Sequence, residues 1–326
     1  MIQFQESDLY LNLTDPELEY RRRNDEDKTS VHHGQRKLLL TVVEFLTLYW
    51  DPAKYPKPKL VYSGAAPGVN IQIISDLFPE FEFHLYDPSP FKIRASERVK
   101  LYNQYFTDED AKFWENKNVY FISDIRTADY TKAKDLDENE EQIMKDMMDQ
   151  MRWYNIINPI KAHLKFRLPY TGGNRPTHIK YLDGVLFKQV FAPETSTETR
   201  LVPHSPGLTK DWDCLKYQSQ MFYHNAIVRE SKNYLNPLDN SENLIDYPEL
   251  TNDYDSTCEI WILTKYLKLR NTFSSDGVKK LSRTITKKLS DKRSKQITLE
   301  FLRKNPRYIK EQNMKPLTRD NLPKNF

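Results

Sequence analysis

"KLVYSGAAPGVN", residues 59–70, sets a short β-branched run against a turn that holds two of the chain's eight glycines and a proline. With "VNIQIISDLF" (69–78) behind it, the order is strand, glycine turn, helix, the unit from which open α/β sheets are built. Ligands meet such sheets beyond the carboxyl ends of the strands, where small residues let the backbone come close. The turn lacks the Lys-Ser/Thr pair of a phosphate loop, and "GAAPGV" lacks the G-x-G-x-x-G spacing of a dinucleotide fingerprint. The next apolar run, "FEFHLYDPSP", ends at Asp87, 23 residues past Gly64, where a carboxylate can accept from two ribose hydroxyls. A ligand with a ribose but no phosphate fits S-adenosylmethionine better than a dinucleotide. A tight turn with a purely structural role is the alternative.

Outward from this unit the same alternation continues. Leu39, Val42, Val43 and Leu46 follow i, i+3, i+4, i+7 spacing and predict a helix with one buried stripe, broken by the three prolines of "DPAKYPKPK". "NVYFISDIR" reads as a strand with Asp124 just past its apolar run, and "DLDENEEQIMKDMMDQ" opens a long helix reaching about Asn158. "AHLKFR", "GVLFKQVF", "ETRLV" and "CEIWILTKYL" supply further strand candidates. Alternating strands and helices predict an α/β fold whose central sheet is covered on both faces. There is no internal repeat. The division expected is an N-terminal arm over 1–30, a body over 31–270 and a basic C-terminal tail over 271–326.

Composition narrows the class. A chain of 326 residues with 38 % hydrophobic content can bury a real core. Two cysteines, Cys214 and Cys258, argue against a disulfide scaffold and for a reducing compartment. The N-terminus lacks a basic n-region and an apolar h-region, and "LLLTVVEFLTLYW" is too short to span a bilayer. A soluble, cytoplasmic protein without a membrane partner is expected. The net charge of +3 hides a strong asymmetry: residues 265–326 carry 18 Lys or Arg against 5 Asp or Glu. A basic tail on an acidic body points to a polyanion such as nucleic acid, or else is a solvated tail. "KKLSRTITKKLSDKRSK" (279–295) reads equally as a basic helix or an arm.

Six blocks carry a resemblance: "GQRKLLLTVVEFL", "VYSGAAPGVNI", "FISDIR", "NPIKAHLKFRLPY", "FAPETSTETRLV" and "MFYHNAIVR". In their order and approximate spacing the chain resembles the poxvirus-type cap-specific mRNA (nucleoside-2′-O-)-methyltransferases, a family that also serves as the small subunit of a viral poly(A) polymerase. The likeness runs from about Tyr20 to about Arg229. It implies a Rossmann-like methyltransferase fold with a mixed, mostly parallel sheet, S-adenosylmethionine as cofactor, no metal, and capped mRNA as substrate. It also implies a polymerase catalytic subunit as a further partner and a large DNA virus as source, acting in the host cytoplasm or virion. A catalytic Lys-Asp-Lys-Glu tetrad is implied at Lys37, Asp124, Lys165 and Glu198, with Lys165 as general base. The donor site would comprise Gln35, Tyr62, Gly64, Pro67, Gly68 and Asp87, with Asp124 near the methionine end.

Transfer to a 2′-hydroxyl gives such a set its use. The hydroxyl is a poor nucleophile and must lose its proton as the new bond forms. A lysine can take that proton only if its pKa falls from about 10.4 toward working pH. Burial and a second cation, Lys37, favour the fall, whereas Asp124 and Glu198 oppose it. A cationic methylated guanine stacks between electron-rich rings, and the resemblance assigns these to Tyr20 and Tyr170. Gly172 and Gln218 stand where the family has two carboxylates for the guanine edge, a departure that Asp211 or Asp213 would have to compensate. Arg126, Arg167 and Arg200 are assigned to the first RNA phosphates, or else to pairing within the acidic body.

Overall fold

Apolar runs of five or six residues become strands, and the amphipathic stretches between them become the helices that cover both faces. The computed structural model describes residues 1–21, 31–129, 131–173, 175–193, 196–229, 232–238 and 252–289. In chain order the elements are β1 (Tyr10–Leu11), α1 (Val31–Tyr49), β2 (Lys59–Ser63), α2 (Val69–Leu77), β3 (Glu82–Tyr86), β4 (Val99–Tyr102), α3 (Asp108–Phe113), β5 (Val119–Ser123) and α4 (Leu136–Ile157). There follow β6 (Lys161–Phe166), β7 (His178–Leu182), β8 (Gly184–Lys188), β9 (Thr199–Pro203), β10 (Thr209–Asp213), α5 (Cys214–Tyr223), α6 (Tyr254–Leu269) and α7 (Ser275–Leu289).

Eight strands form one sheet in the order β1-β8-β9-β6-β5-β2-β3-β4, and β7 pairs with β10 in a separate ribbon. The run from β6 to β4 is parallel, whereas β6, β9, β8 and β1 are joined antiparallel. This is the Rossmann-like α/β arrangement, with an antiparallel extension on one side. Side chains alternate between two cores: Leu60, Tyr62, Tyr120 and Ile122 join one, Val61, Val119 and Phe121 the other. Both faces are therefore apolar, which is why the strands read as unbroken hydrophobic runs. Complete burial of each Leu, Val or Phe among them contributes about 1.5–3 kcal/mol.

Helices α1, α2, α6 and α7 cover the first core, and α4 and α5 border the second. "CEIWILTKYL", expected as a strand, is instead the body of α6. A ten-residue apolar run fits either period, and two features decide for the helix. Asp253 caps it by accepting from Ser256 N at 2.8 Å, and Cys258, Ile262 and Tyr266, spaced i, i+4, i+8, all face the core. The basic segment is helical over Ser275–Leu289, with Val278, Ser282, Ile285 and Leu289 turned inward; residues 290–326 lie outside the described residues.

The N-terminal arm is tied down over its first part. Tyr10 and Leu11 extend the sheet edge beside Phe187 and Leu186, and the Gln220 amide faces the carbonyls of Asn12, Leu13 and Asp15 at 2.9–3.1 Å. Leu18 N donates to Ser219 O, so the arm runs along α5 as far as Tyr20.

Candidate active site

The glycine turn sits at the carboxyl end of β2, between the ends of β3 and β5. Gly64 has φ +79°, and a Cβ there would lie 2.8 Å from the backbone of Asp124 and Ile125. The side chain is cleared away for the chain's own loop after β5, because that loop brings Asp124 into the site. Asp124 N donates to Ser63 O at 2.9 Å, which fixes the approach. Gly68, at φ +76°, opens α2 as its N-cap, a conformation an L side chain adopts only at a cost. Pro67 lies between, its carbonyl accepting from Lys92 N.

Asp87 is held at the end of β3 with one carboxylate oxygen on Ala66 N (3.0 Å) and the other on Ser89 N (2.8 Å). Each oxygen keeps a further lone pair for a hydroxyl donor. Ser63 and Ser123 are register partners at the ends of β2 and β5, and both hydroxyls are buried without a partner among the described residues, as is Oε1 of Gln35. Orphaned hydroxyls at the carboxyl ends of β2 and β5, with an anchored carboxylate at the end of β3, suit a polar ligand such as a nucleoside bearing an amino-acid group. Tyr62 is almost fully buried.

Four separate elements bring the tetrad together. Lys165 lies on β6, Asp124 just past β5, Glu198 just before β9 and Lys37 in the second turn of α1. Lys165 Nζ is 3.1 Å from Asp124 Oδ1 and 3.5 Å from Glu198 Oε2, while Lys37 Nζ is 3.3 Å from Glu198 Oε1. All four side chains are 10–15 % exposed. Burial pushes the Lys165 ammonium below its ordinary pKa, against the opposing pull of Asp124 and Glu198. Burial pushes the Glu198 carboxyl up, but Lys165, Lys37, Arg200 and Arg126 together outweigh it and hold the group well below the usual range. Asp124 is likewise lowered, burial being overcome chiefly by Arg200 and Lys165. The cluster therefore holds two ionised carboxylates among four basic side chains, one of them an amine whose proton is loosened.

The three arginines separate. Arg200, 2 % exposed, stands opposite Lys165 across the β6–β9 pairing and reaches Asp124 Oδ1 at 2.7 Å and Glu198 Oε1 at 3.4 Å. Arg167 is buried, its Nη2 donating to both carboxylate oxygens of Glu140 at 2.8 and 2.9 Å. Pairing within the body, the alternative to phosphate contact, is what both of these do, because a buried guanidinium needs a carboxylate. Arg126 is more open, 22 % exposed and 3.8 Å from Glu198 Oε2, and is the one of the three whose placement still suits a phosphate.

Tyr20 and Tyr170, 150 positions apart, meet with ring centroids 4.9 Å apart and planes tilted by 35°. Phe222 lies edge-on to Tyr20 at 5.4 Å. Tyr170 is fixed from behind: Glu140 accepts from its backbone N, Arg175 Nε donates to its carbonyl, and the Arg167 guanidinium lies 4.7 Å from its ring centre. Gln218 Oε1 accepts from Thr171 N at 3.1 Å, so this amide braces the loop. Gly172, at φ +118°, is a turn residue in the same loop. Asp213 caps α5 by accepting from Lys216 N, and Asp211 is exposed on β10.

Two buried groups at the site had no signal in the sequence. Glu140 looks like any acid in an acidic helix, yet it is 3 % exposed and holds Arg167 and Tyr170. Gln189, in "LFKQVF", is 3 % exposed against Glu198 and Arg200.

A family model described as Poly A polymerase regulatory subunit matches residues 5–297. The chain is 25 % identical over 240 residues to a protein of myxoma virus (strain Lausanne) named cap-specific mRNA (nucleoside-2′-O-)-methyltransferase, covering 68 % of this chain and 69 % of that protein. A fowlpox virus (strain NVSL) protein of the same name is 28 % identical over 242 residues, covering 68 % and 76 %. Among solved structures, that of bluetongue virus VP4, titled as a multifunctional RNA-capping production line, aligns over 64 % of this chain and 34 % of its own, at 13 % identity and a TM-score of 0.46.

Proposed function

The chain belongs to the Poly A polymerase regulatory subunit family, and from that premise we propose that it is an S-adenosylmethionine-dependent methyltransferase acting on the ribose 2′-hydroxyl of the first transcribed nucleotide of capped mRNA. The observation that carries the reading is the Lys165 amine, buried between Asp124 and Glu198 with its pKa lowered. An acyl or phosphoryl transferase would want an oxyanion pocket or a phosphate cradle beside its base. A loosened lysine beside a site for a nucleoside suits deprotonation of a hydroxyl.

When bound, the donor supplies an electrophilic methyl group on a sulfonium. Asp87 holds the ribose hydroxyls, Gln35 and the backbone of the Gly64–Gly68 turn line the remainder, and Asp124 stands at the amino-acid end. Lys165 would orient the attacking hydroxyl and take its proton as the carbon–oxygen bond forms and the carbon–sulfur bond of the sulfonium breaks, its electron pair staying on the departing thioether, and Asp124 and Glu198 would stabilise the ammonium so formed. Lys37 keeps Glu198 ionised and aimed. Tyr20 and Tyr170 hold the methylated base, and Arg126 meets a phosphate of the leading nucleotides. The poxvirus relatives support the cytoplasm of an infected cell as the compartment of this work.

The family's description favours a second reading that is compatible with the first: an RNA-holding subunit beside the catalytic subunit of a viral poly(A) polymerase. The test is transfer of labelled methyl from S-adenosylmethionine to short RNAs with and without a 7-methylguanosine cap. Cap-dependent labelling of the first ribose, lost in Lys165→Ala, is expected. Labelling regardless of cap would move the target to another RNA and make Gly172 and Gln218 the signature of a changed pocket. RNA binding without labelling would leave the subunit role alone.

A further inference from the structure

Gln189 follows β8 directly and points into the cluster from a side that none of the tetrad occupies. Its amide, oriented so that both ends are satisfied, donates from nitrogen to Glu198 Oε1 at 3.0 Å and accepts at oxygen from Arg200 Nε (2.8 Å) and Nη2 (3.2 Å). Two adjacent N–H groups of a guanidinium are the fork usually filled by a carboxylate. Here a carboxylate would face that of Glu198 across about 3 Å and add a like charge to the cluster. An apolar side chain would leave the buried Arg200 fork unmatched. The amide alone accepts from the cation and donates to the anion without adding charge.

We propose that Gln189 is a positioning residue for this site: it clamps Glu198 Oε1 and the outer edge of Arg200 in one plane, so that the carboxylate stays on Lys37 and Lys165 while the cluster gains no third anion. Glu198 Oε1 then has three donors, Gln189, Lys37 and Arg200, and its other oxygen faces Lys165 and Arg126. Arg200, pinned along one edge, presents Nη1 to Asp124. Besides burial, the groups that act on the Lys165 proton are Asp124 and Arg126 just past β5, Glu198 just before β9 and Arg200 on it; Lys37 of α1 pairs with Glu198, and Tyr62 of β2 and His163 of β6 face the same Asp124 and Arg200 charges. Gln189 touches two of them and is charged in neither protonation state of the site.

This inference rests on the methyl-transfer reading for its kinetic form, so the test has an arm that does not. In the full chain, Lys165 is titrated by ¹³Cε-lysine NMR, its signal assigned as the one lost in Lys165→Ala, in wild type, Gln189→Glu and Gln189→Met. A new anion in contact with Glu198 and Arg200 is expected to move the Lys165 midpoint up by about one unit. The rising limb of the pH–rate profile for labelled methyl transfer should move with it. Gln189→Met, similar in size and neutral, is expected to leave the midpoint within a few tenths of a unit and to lower kcat about tenfold or more through loss of the clamp, with KM for the donor unchanged. A purely structural role would lower thermal stability in both variants and leave the Lys165 midpoint in place in Gln189→Glu, and that result overturns the proposal. Wild-type activity in Gln189→Met overturns it as well. Absence of methyl transfer in the wild type would sink the functional reading only, and the NMR titration would still decide the role of Gln189.

Discussion

At the scale of single residues, charge and space decide. Lys165→Ala is expected to lower methyl transfer about 10²–10⁴-fold, the usual worth of a general base, with RNA affinity retained; binding and single-turnover measurements on one preparation separate the two. Because the folded pKa of Lys165 lies below the ordinary lysine value, the rate should rise with pH and level off before an unperturbed lysine would titrate. A profile that climbs through pH 10.4 unchanged would contradict the burial argument. Gly64 makes a prediction about stability. A methyl group there would press on the Asp124–Ile125 backbone at 2.8 Å and occupy φ +79°, so Gly64→Ala should cost on the order of 2 kcal/mol or more by denaturant titration. Glu44 has the opposite sign: 4 % exposed with an unpartnered oxygen, its carboxyl is pushed well above the usual range by burial. The fold prefers it neutral, so its contribution is best at low pH and is lost as pH rises from the unfolded value toward the folded one. Glu44→Gln should raise Tm at pH 7 and have little effect near pH 4.

At the scale of elements, one buried guanidinium ties α6 and α7 to the helix that carries Lys37. Arg36, 3 % exposed, is bidentate on Glu259 of α6 at 2.5 and 2.6 Å and reaches Ser282 (3.0 Å) and Thr286 (2.7 Å) of α7. It stands between Gln35 and Lys37, so the docking of α7 and the placement of two site residues share one guanidinium. Arg36→Ala strands Glu259 and should cost about 3–5 kcal/mol. Hydrogen exchange should show α7 losing protection before the strands do. Tyr20 and Tyr170 form the other joint between elements. Their centroids are 4.9 Å apart, and a base in van der Waals contact with both needs about 7 Å. If a base stacks between them, the arm gives way at Tyr20, since Tyr170 is held by Glu140 and Arg175. Tyr20→Ala should weaken binding of 7-methylguanosine nucleotides while leaving donor binding unchanged, as paired calorimetric titrations would show.

For the whole molecule, the relevant quantity is how charge is divided. The basic C-terminal segment sets 18 cations against 5 anions, and α7 already turns Lys280, Lys287 and Lys288 outward, the last paired with Asp76. If residues 290–326 meet RNA phosphates, their removal should flatten the slope of log affinity against log salt; an unchanged slope would make them a solvated tail. Acid should act through the site. Asp124 and Glu198 have lowered folded pKa values, so the stability they confer is present above about pH 4 and is lost as pH falls through the folded values. Exchanging both for Asn and Gln should blunt that acid limb in a pH series of melting curves.

The unaided sequence carried the α/β class, the strands at 59–63, 82–86, 119–123, 161–166, 184–188 and 199–203, and the helices that follow several of them, because period-2 and period-3.6 patterns are local and each buried strand must be apolar on both faces. The proposal of a tetrad came from the family resemblance of the blocks that hold its four residues, and nothing in their spacing says that Lys37 and Glu198, 161 positions apart, lie at 3.3 Å. The tertiary structure decided what periodicity leaves ambiguous or silent. "CEIWILTKYL" became a helix because Asp253 caps it and Cys258, Ile262 and Tyr266 meet one core, and the clearance at Gly64 proved to serve the neighbouring strand's loop. Arg167 and Arg200 turned inward because carboxylates waited for them there, and Gln189, an amide no local pattern would select, came to rest between an anion and a cation. Patterning determines which faces are buried; which charges meet inside is set only when distant strands come into register, because an ion pair has no sequence period.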